Sequence, residues 1–139
     1  MNIRPALATD ASPIAALLGE LGYVATEAQV RERLTSAQPT PTLNLVAESG
    51  GEVIACLNAC VMPYFPNGST LCRIVAMVVA ADRRSKGVGA ALVEAAAAYA
   101  REQGCSALEV TSADRRSDAH RFYQRSGFTR TSLRFVRAL

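Results

Sequence analysis

"ADRRSKGVGAAL", residues 81–92, places Arg83, Arg84 and Lys86 and two glycines directly ahead of an alanine-rich stretch. Alanine is the strongest helix former, so this stretch predicts a long helix from about Val88 to Gln103 with Gly104 as its C-cap. Immediately upstream, "TLCRIVAMVVA", residues 70–80, is rich in β-formers and reads as a strand ending at Val79 or Ala80. A strand thus delivers the chain through Arg84-Ser85-Lys86-Gly87-Val88-Gly89 to a helix entrance. There glycine lets backbone N–H groups come close to a ligand, and the helix presents its positive dipole end. Such a loop suits phosphates. It has neither the Gly-x-x-x-x-Gly-Lys-Ser/Thr spacing of the Walker loop nor Gly-x-Gly-x-x-Gly.

Working outward, Ile3 to Pro5 reads as a short first strand. Thr9-Asp10-Ala11-Ser12-Pro13 supplies N-cap chemistry for a helix through Leu17, Leu18 and Leu21, which Gly22 stops. Thr26 to Leu34 has helical spacing, and Pro39-Thr40-Pro41 forbids its continuation. "LNLVAE" and "EVIACLNACVM" flank Ser49-Gly50-Gly51 and predict two antiparallel strands joined by a glycine turn, followed by the loop "PYFPNGS". Beyond the long helix, "SALEVTS" reads as a strand, "SDAHRFYQRS" as a helix and "SLRFVRAL" as a final strand. This order predicts an α+β fold with a sheet of mixed strand directions. At 139 residues, half of them apolar, the expectation is a single domain over 1–139.

Charge is unevenly spread. Residues 1–66 carry three basic and six acidic side chains, and residues 67–139 carry twelve basic and six acidic. The second half therefore faces an anion. Nucleic acid is disfavoured, because the few aromatic side chains are not interleaved with the arginines and no nucleic-acid motif appears. Cys56, Cys60, Cys72 and Cys105 lack Cys-x-x-Cys spacing and His120 stands far from them, so they read as small core residues and no metal site is expected. No apolar leader or membrane-length apolar run occurs, which predicts a cytoplasmic protein without membrane contact.

About thirty residues after the glycine loop stands "DAHRFYQRSGF", residues 118–128. Arg84-x-x-Gly87-x-Gly89 together with Ala119-x-x-Phe122-Tyr123-x-x-x-Gly127-Phe128 resembles the GNAT superfamily of N-acyltransferases, and the element order resembles that family's along the whole chain. The resemblance implies acetyl transfer from acetyl-CoA to an amine, with the cofactor in a V-shaped split between the fourth and fifth strands of a mostly antiparallel sheet. It implies that Met77, Val78 and Val79 contact the cofactor through main chain, with the Val79 N–H polarising the thioester carbonyl. It also implies that Arg84, Ser85, Lys86, Gly87, Val88, Gly89 and Ala90 form the pyrophosphate loop, and that Arg116, Ala119 and Phe122 adjoin the cofactor. Tyr123 matches the family tyrosine that protonates the departing thiolate, and its ordinary pKa near 10 keeps the proton available. His120, one helical turn earlier, either tunes Tyr123 or is a partly exposed helix residue. The family habit and the apolar "SLRFV" further imply a homodimer.

Two positions depart from the family. Arg116 stands where many relatives have asparagine, and Arg73-Ile74-Val75-Ala76 lacks the strand glutamate that serves as general base. An amine of pKa near 10.4 then loses its proton at pH 7 at a cost of about 4.6 kcal/mol. A water chain, an amine of lower pKa, Glu48 or Glu109 are the alternatives. The ending "AHRFYQRSGFTRTSLRFVRAL" is similar to that of aminoalkylphosphonate N-acetyltransferases, and Arg73 and Arg116 would suit an acidic substrate group. A small-molecule amine is thus the expected acceptor. A protein or peptide N-acetyltransferase and a catalytically silent acyl-CoA sensor are the alternatives.

Overall fold

The computed structural model describes every residue except Asp114. Its strands are β1 (Asn2–Pro5), β2 (Thr42–Ser49), β3 (Glu52–Tyr64), β4 (Ser69–Val79) and β5 (Ala107–Val110). Its helices are α1 (Ala11–Glu20), α2 (Glu27–Thr35), α3 (Val88–Glu102) and α4 (Ser117–Arg125). The sheet runs β1-β2-β3-β4-β5, antiparallel throughout except for the parallel pair β4–β5. This is the α+β architecture that the sequence predicts, with each helix within about two residues of its expected bounds. No helix of the described residues is long and apolar enough to cross a membrane.

Both faces of the sheet are covered, which is why the central strands read as nearly unbroken apolar runs. On one face Leu45, Ala47, Ala55, Leu57, Ala59, Cys72 and Ile74 pack against Val88, Leu92, Val93 and Ala96 of α3. On the other, Val46, Cys56 and Val78 pack against Ile14 and Leu17 of α1 and Val30 of α2. The alternation along β2 and β3 follows from the two-residue period of a strand. Along β4 it slips: Asn58 pairs with Ala76 but Ala59 with Ile74, leaving Val75 as the extra residue of a β-bulge. The bulge inverts the facing of the strand residues beyond it. Met77 and Val79 join Ile74 on the α3 face, and Val78 turns to α1.

Local chemistry explains the helix starts. Thr26 Oγ1 accepts from the Gln29 N–H (3.1 Å) and Gln29 Oε1 from the Thr26 N–H (3.0 Å), a reciprocal cap for α2. At α1 the buried carboxylate of Asp10 accepts from the Leu7 N–H (2.7 Å) and from both terminal nitrogens of Arg4 (2.8 and 3.0 Å), while Arg4 Nε donates to Glu48 on β2 (2.7 Å). One guanidinium therefore ties β1, β2 and the start of α1 together.

Residues 132–139 depart from expectation. "SLRFVRAL" joins no strand, and Leu133, Phe135, Val136 and Leu139 stand exposed. Strand propensity is local, but a strand also needs a partner, and this segment lies against no sheet edge.

Candidate active site

The site begins where two strands part. The β4–β5 ladder ends at the pair Ile74–Val110, directly before the Val75 bulge, while β4 continues to Val79. The Ala80 N–H donates to the Ile54 carbonyl (2.9 Å), and the register sets Val79 opposite Ala55. In an antiparallel pair, bonded and non-bonded positions alternate, so Ala80 and Val78 bond to β3 while Val79 and Met77 turn their N–H groups toward the side β5 has left. Strand parting thus opens two backbone donors toward the gap. Of the three strand residues expected to present main chain there, Met77 and Val79 do so; Val78 lines the gap with its main chain turned to β3.

The glycine loop closes the top of the gap. Arg84 Nε donates to the Val79 carbonyl (3.0 Å), folding the loop back over the strand end. Ser85 and Gly87 then take left-handed backbone, with φ of 62° and 81°. For serine that conformation is uncommon and stores strain, a feature that gathers at functional sites. The turn aims the chain into α3, whose first intrahelical bond in this turn is Ala91 N–H to the Gly87 carbonyl (3.1 Å). The N–H groups of Val88, Gly89 and Ala90 precede it, and no side chain caps them. The two glycines differ in function. A Cβ on Gly87 would meet open space, whereas one on Gly89 would come within 3.1 Å of the Phe122 ring of α4. Gly89 is small because α4 packs on it.

These elements enclose a cleft of about 690 Å³. β4 contributes Met77 to Val79, the loop and α3 contribute Arg84, Ser85, Gly87, Val88, Gly89 and Ala90, and α4 with its entrance contributes Arg116, Ala119, Phe122 and Tyr123. Of the expected cofactor residues, Lys86 alone lies outside the lining; it is exposed, with Nζ 3.4 Å from the Asp82 carbonyl. Arg83, Arg121 and Arg125 also line the cleft, opposed among the described residues by a single lining carboxylate, Asp118. Arg121 and Arg125 escaped the sequence reading although their i, i+4 spacing puts them on one helix face.

Tyr123 is buried, with its ring edge-on to Phe122 (5.3 Å, 64°) and Phe128 (5.6 Å, 75°). Burial pushes its phenol above the usual tyrosine value, while the nearby Arg116 charge pulls the other way. His120 Nε2 lies 2.9 Å from the Ala113 carbonyl, a contact that ties α4 to the segment before it.

The remaining candidates for acid–base work and substrate binding lie elsewhere. Glu109 is held by Arg73 across the β4–β5 pair (2.6 Å) and Glu48 by Arg4, and neither lines the cleft. Arg73, expected to suit an acidic substrate group, is engaged in that ion pair. On the α1 side of the sheet a second cavity of about 520 Å³ abuts β4 at Val75 and Ala76, with Leu18, Tyr23 and Val24 at its rim. Its polar lining is Arg33, Gln38, Thr42 and an amide pair in which Asn58 Nδ2 donates to Asn44 Oδ1 (2.7 Å), with no carboxylate among the described residues. Arg33 had no signal in the sequence, since only the packing of α2 brings it to this cavity.

The chain belongs to the acetyltransferase (GNAT) family, whose pattern it matches over residues 14–128. It is 30% identical over 94 residues to an aminoalkylphosphonate N-acetyltransferase of Salmonella typhimurium, covering 68% of this chain and 61% of that protein. It is 31% identical to N-acetyltransferase family 8 member 2 of Rattus norvegicus, covering 66% of this chain and 40% of that protein. The chain thus spans less than two thirds of the curated relatives it matches. Among solved structures, a transcriptional regulator from Bacillus halodurans C-125 superposes with a TM-score of 0.87 at 25% identity over 99% of both chains. An aminoglycoside 6'-N-acetyltransferase from Acinetobacter haemolyticus shares the fold, with a TM-score of 0.83 at 24% identity over 100% of this chain and 99% of that one.

Proposed function

We propose that the chain transfers an acetyl group from acetyl-CoA to the primary amine of a small molecule that also carries an anionic group. The observation that carries this reading is the parting of β4 from β5, which sets the Val79 N–H, the uncapped start of α3 and Tyr123 on one cleft. Uncapped N–H groups at a helix start beside a left-handed loop fit the pyrophosphate of acetyl-CoA. Arg84, Arg116, Arg121 and Arg125 supply the charge that its phosphates require. When bound, acetyl-CoA supplies an activated acyl carbon and a thiolate leaving group. The Val79 N–H stabilises the oxygen on which negative charge develops. Tyr123, neutral through physiological pH, gives its proton to the departing sulfur while the amine nitrogen takes the acyl carbon. Deprotonation of the amine falls to solvent, because Glu48 and Glu109 are engaged away from the cleft.

The second cavity suits the acceptor. It reaches β4 from the other face at Val75 and Ala76, directly before the Met77–Val79 segment of the cleft, and its one lining charge among the described residues is Arg33. The kinship with an aminoalkylphosphonate N-acetyltransferase supports an acceptor of that charge type. The test is a panel of phosphonate, carboxylate, neutral and cationic amines with short peptides, read by thiol release. Turnover is expected with the anionic small amines. Arg33→Ala should raise their KM about tenfold to a hundredfold, the worth of one charged hydrogen bond, and leave neutral amines unchanged. Turnover confined to peptides or polycations would overturn the acceptor class. Tight acetyl-CoA binding with no turnover on any member would overturn the enzyme reading in favour of a sensor.

A further inference from the structure

The cavity on the α1 side of the sheet, about 520 Å³, is much larger than a short aminoalkyl anion, and side chains of two kinds line it. Leu18 of α1, Leu34 of α2 and Val75 of β4 are apolar. The bulge holds Val75 58% exposed although its neighbour Ile74 is buried, so a branched aliphatic side chain faces the cavity uncovered. Covering it with apolar atoms is favourable. Arg33, Asn44 and Asn58 are polar. The Arg33 guanidinium enters no ion pair among the described residues, and the mutual bond of the two amides leaves Asn58 Oδ1 and the Asn44 N–H groups open to a ligand. Asn58 stands opposite Ala76, the last β4 residue before the cleft segment.

We infer that the acceptor is amphiphilic: a small amine that carries, beside its anionic group, an apolar side chain of several carbons. This acceptor class rests on the acetyl-transfer reading and narrows it. Arg33 takes the carboxylate or phosphonate, Asn58 Oδ1 accepts from the amine beside Ala76, and the side chain covers Val75, Leu18 and Leu34. A longer acyl chain in this space would leave Arg33 and the amides without partners. A peptide N-terminus has no anion on the carbon that bears its amine.

The experiment is calorimetry and thiol-release kinetics on two series that differ only in chain length, glycine to norleucine and aminomethylphosphonate to 1-aminopentylphosphonate. Each added methylene should tighten binding and raise kcat/KM about threefold to fourfold, and the stronger series identifies the anion. Val75→Thr and Leu18→Ala should each cut the ratio of the longest to the shortest member at least about threefold. Arg33→Ala should weaken every member by a like factor and keep the slope. A flat or absent response to chain length overturns the amphiphilic acceptor, and turnover of the shortest anionic amines alone would then leave the acetyl-transfer reading standing. Affinity that climbs along a series without thiol release supports the apolar site and overturns the transfer reading instead. A ratio that neither wall variant changes overturns the assignment of the wall. So does a gain on lengthening the donor from acetyl-CoA to hexanoyl-CoA with glycine as acceptor, which would give that wall to the acyl chain.

Discussion

At the scale of single residues, Tyr123 carries the chemistry proposed for the cleft. Phenylalanine in its place keeps both edge-on ring contacts and removes only the proton donor. Acetyl-CoA affinity and stability should hardly change, while kcat falls about a hundredfold, the lower end for a general acid, because a thiolate departs readily. A loss of less than about threefold would remove Tyr123 as the acid. The pH profile tests the other proton. Glu48 and Glu109 are both tied into ion pairs, and Asp118, the one carboxylate among the described residues that lines the cleft, is held below the usual range, chiefly by the Ala119 N–H. With solvent as base, kcat/KM should rise about tenfold per pH unit until the acceptor's own pKa is reached. The tyrosine's upward shift extends its acid form toward higher pH. A plateau near neutral pH that does not move with the acceptor's pKa would reveal a side-chain base. The sequence made Tyr123 legible through its spacing from Phe122, Gly127 and Phe128. It did not reveal the fate of the two glutamates, because ion pairs depend on which residues become cross-strand neighbours, as Arg73 and Glu109 do.

At the scale of elements, the loop before α3 performs two tasks that its two glycines divide. Gly87 holds left-handed backbone facing open space, so Gly87→Ala strains the turn by about 1–2 kcal/mol and sets a methyl where a phosphate would approach. Calorimetry should report weaker acetyl-CoA binding with kcat at saturation nearly kept. Gly89 has ordinary backbone and a neighbour at 3.1 Å, so Gly89→Val displaces Phe122 and with it the adjoining Tyr123. That variant should lose kcat as well as affinity. Equal kinetic signatures for the two would refute the division. The loop and helix were legible from glycine placement and alanine content, but the Phe122 contact was not, since it joins residues 33 positions apart.

At the scale of the whole molecule, Arg4 clamps two strands to α1 through Asp10 and Glu48. Hydrogen bonds from Arg4 foremost, and then from the Leu7 N–H, hold the Asp10 carboxyl below its usual range against the opposing effect of burial. A depressed carboxylate contributes stability above its unfolded pKa near 3.9 and loses it as pH falls through the folded value. Thermal melts of the wild type should therefore drop steeply below about pH 4. Asp10→Asn should melt lower at neutral pH, by about 1–3 kcal/mol of stability, with a shallower acid limb. Parallel acid limbs would exclude this clamp as a source of the pH dependence. Strand and helix periods, helix stops and the two spaced motifs are short-range patterns, and by itself the sequence determined the element order as far as α4, the fold class and most of the residues around the cleft. Tertiary structure alone decided the Val75 bulge that inverts the face of β4, the capture of Glu109 by Arg73, the arrival of Arg33 at the second cavity and the exclusion of residues 132–139 from the sheet. Each depends on register and on which surface lies opposite, and a one-dimensional pattern contains neither.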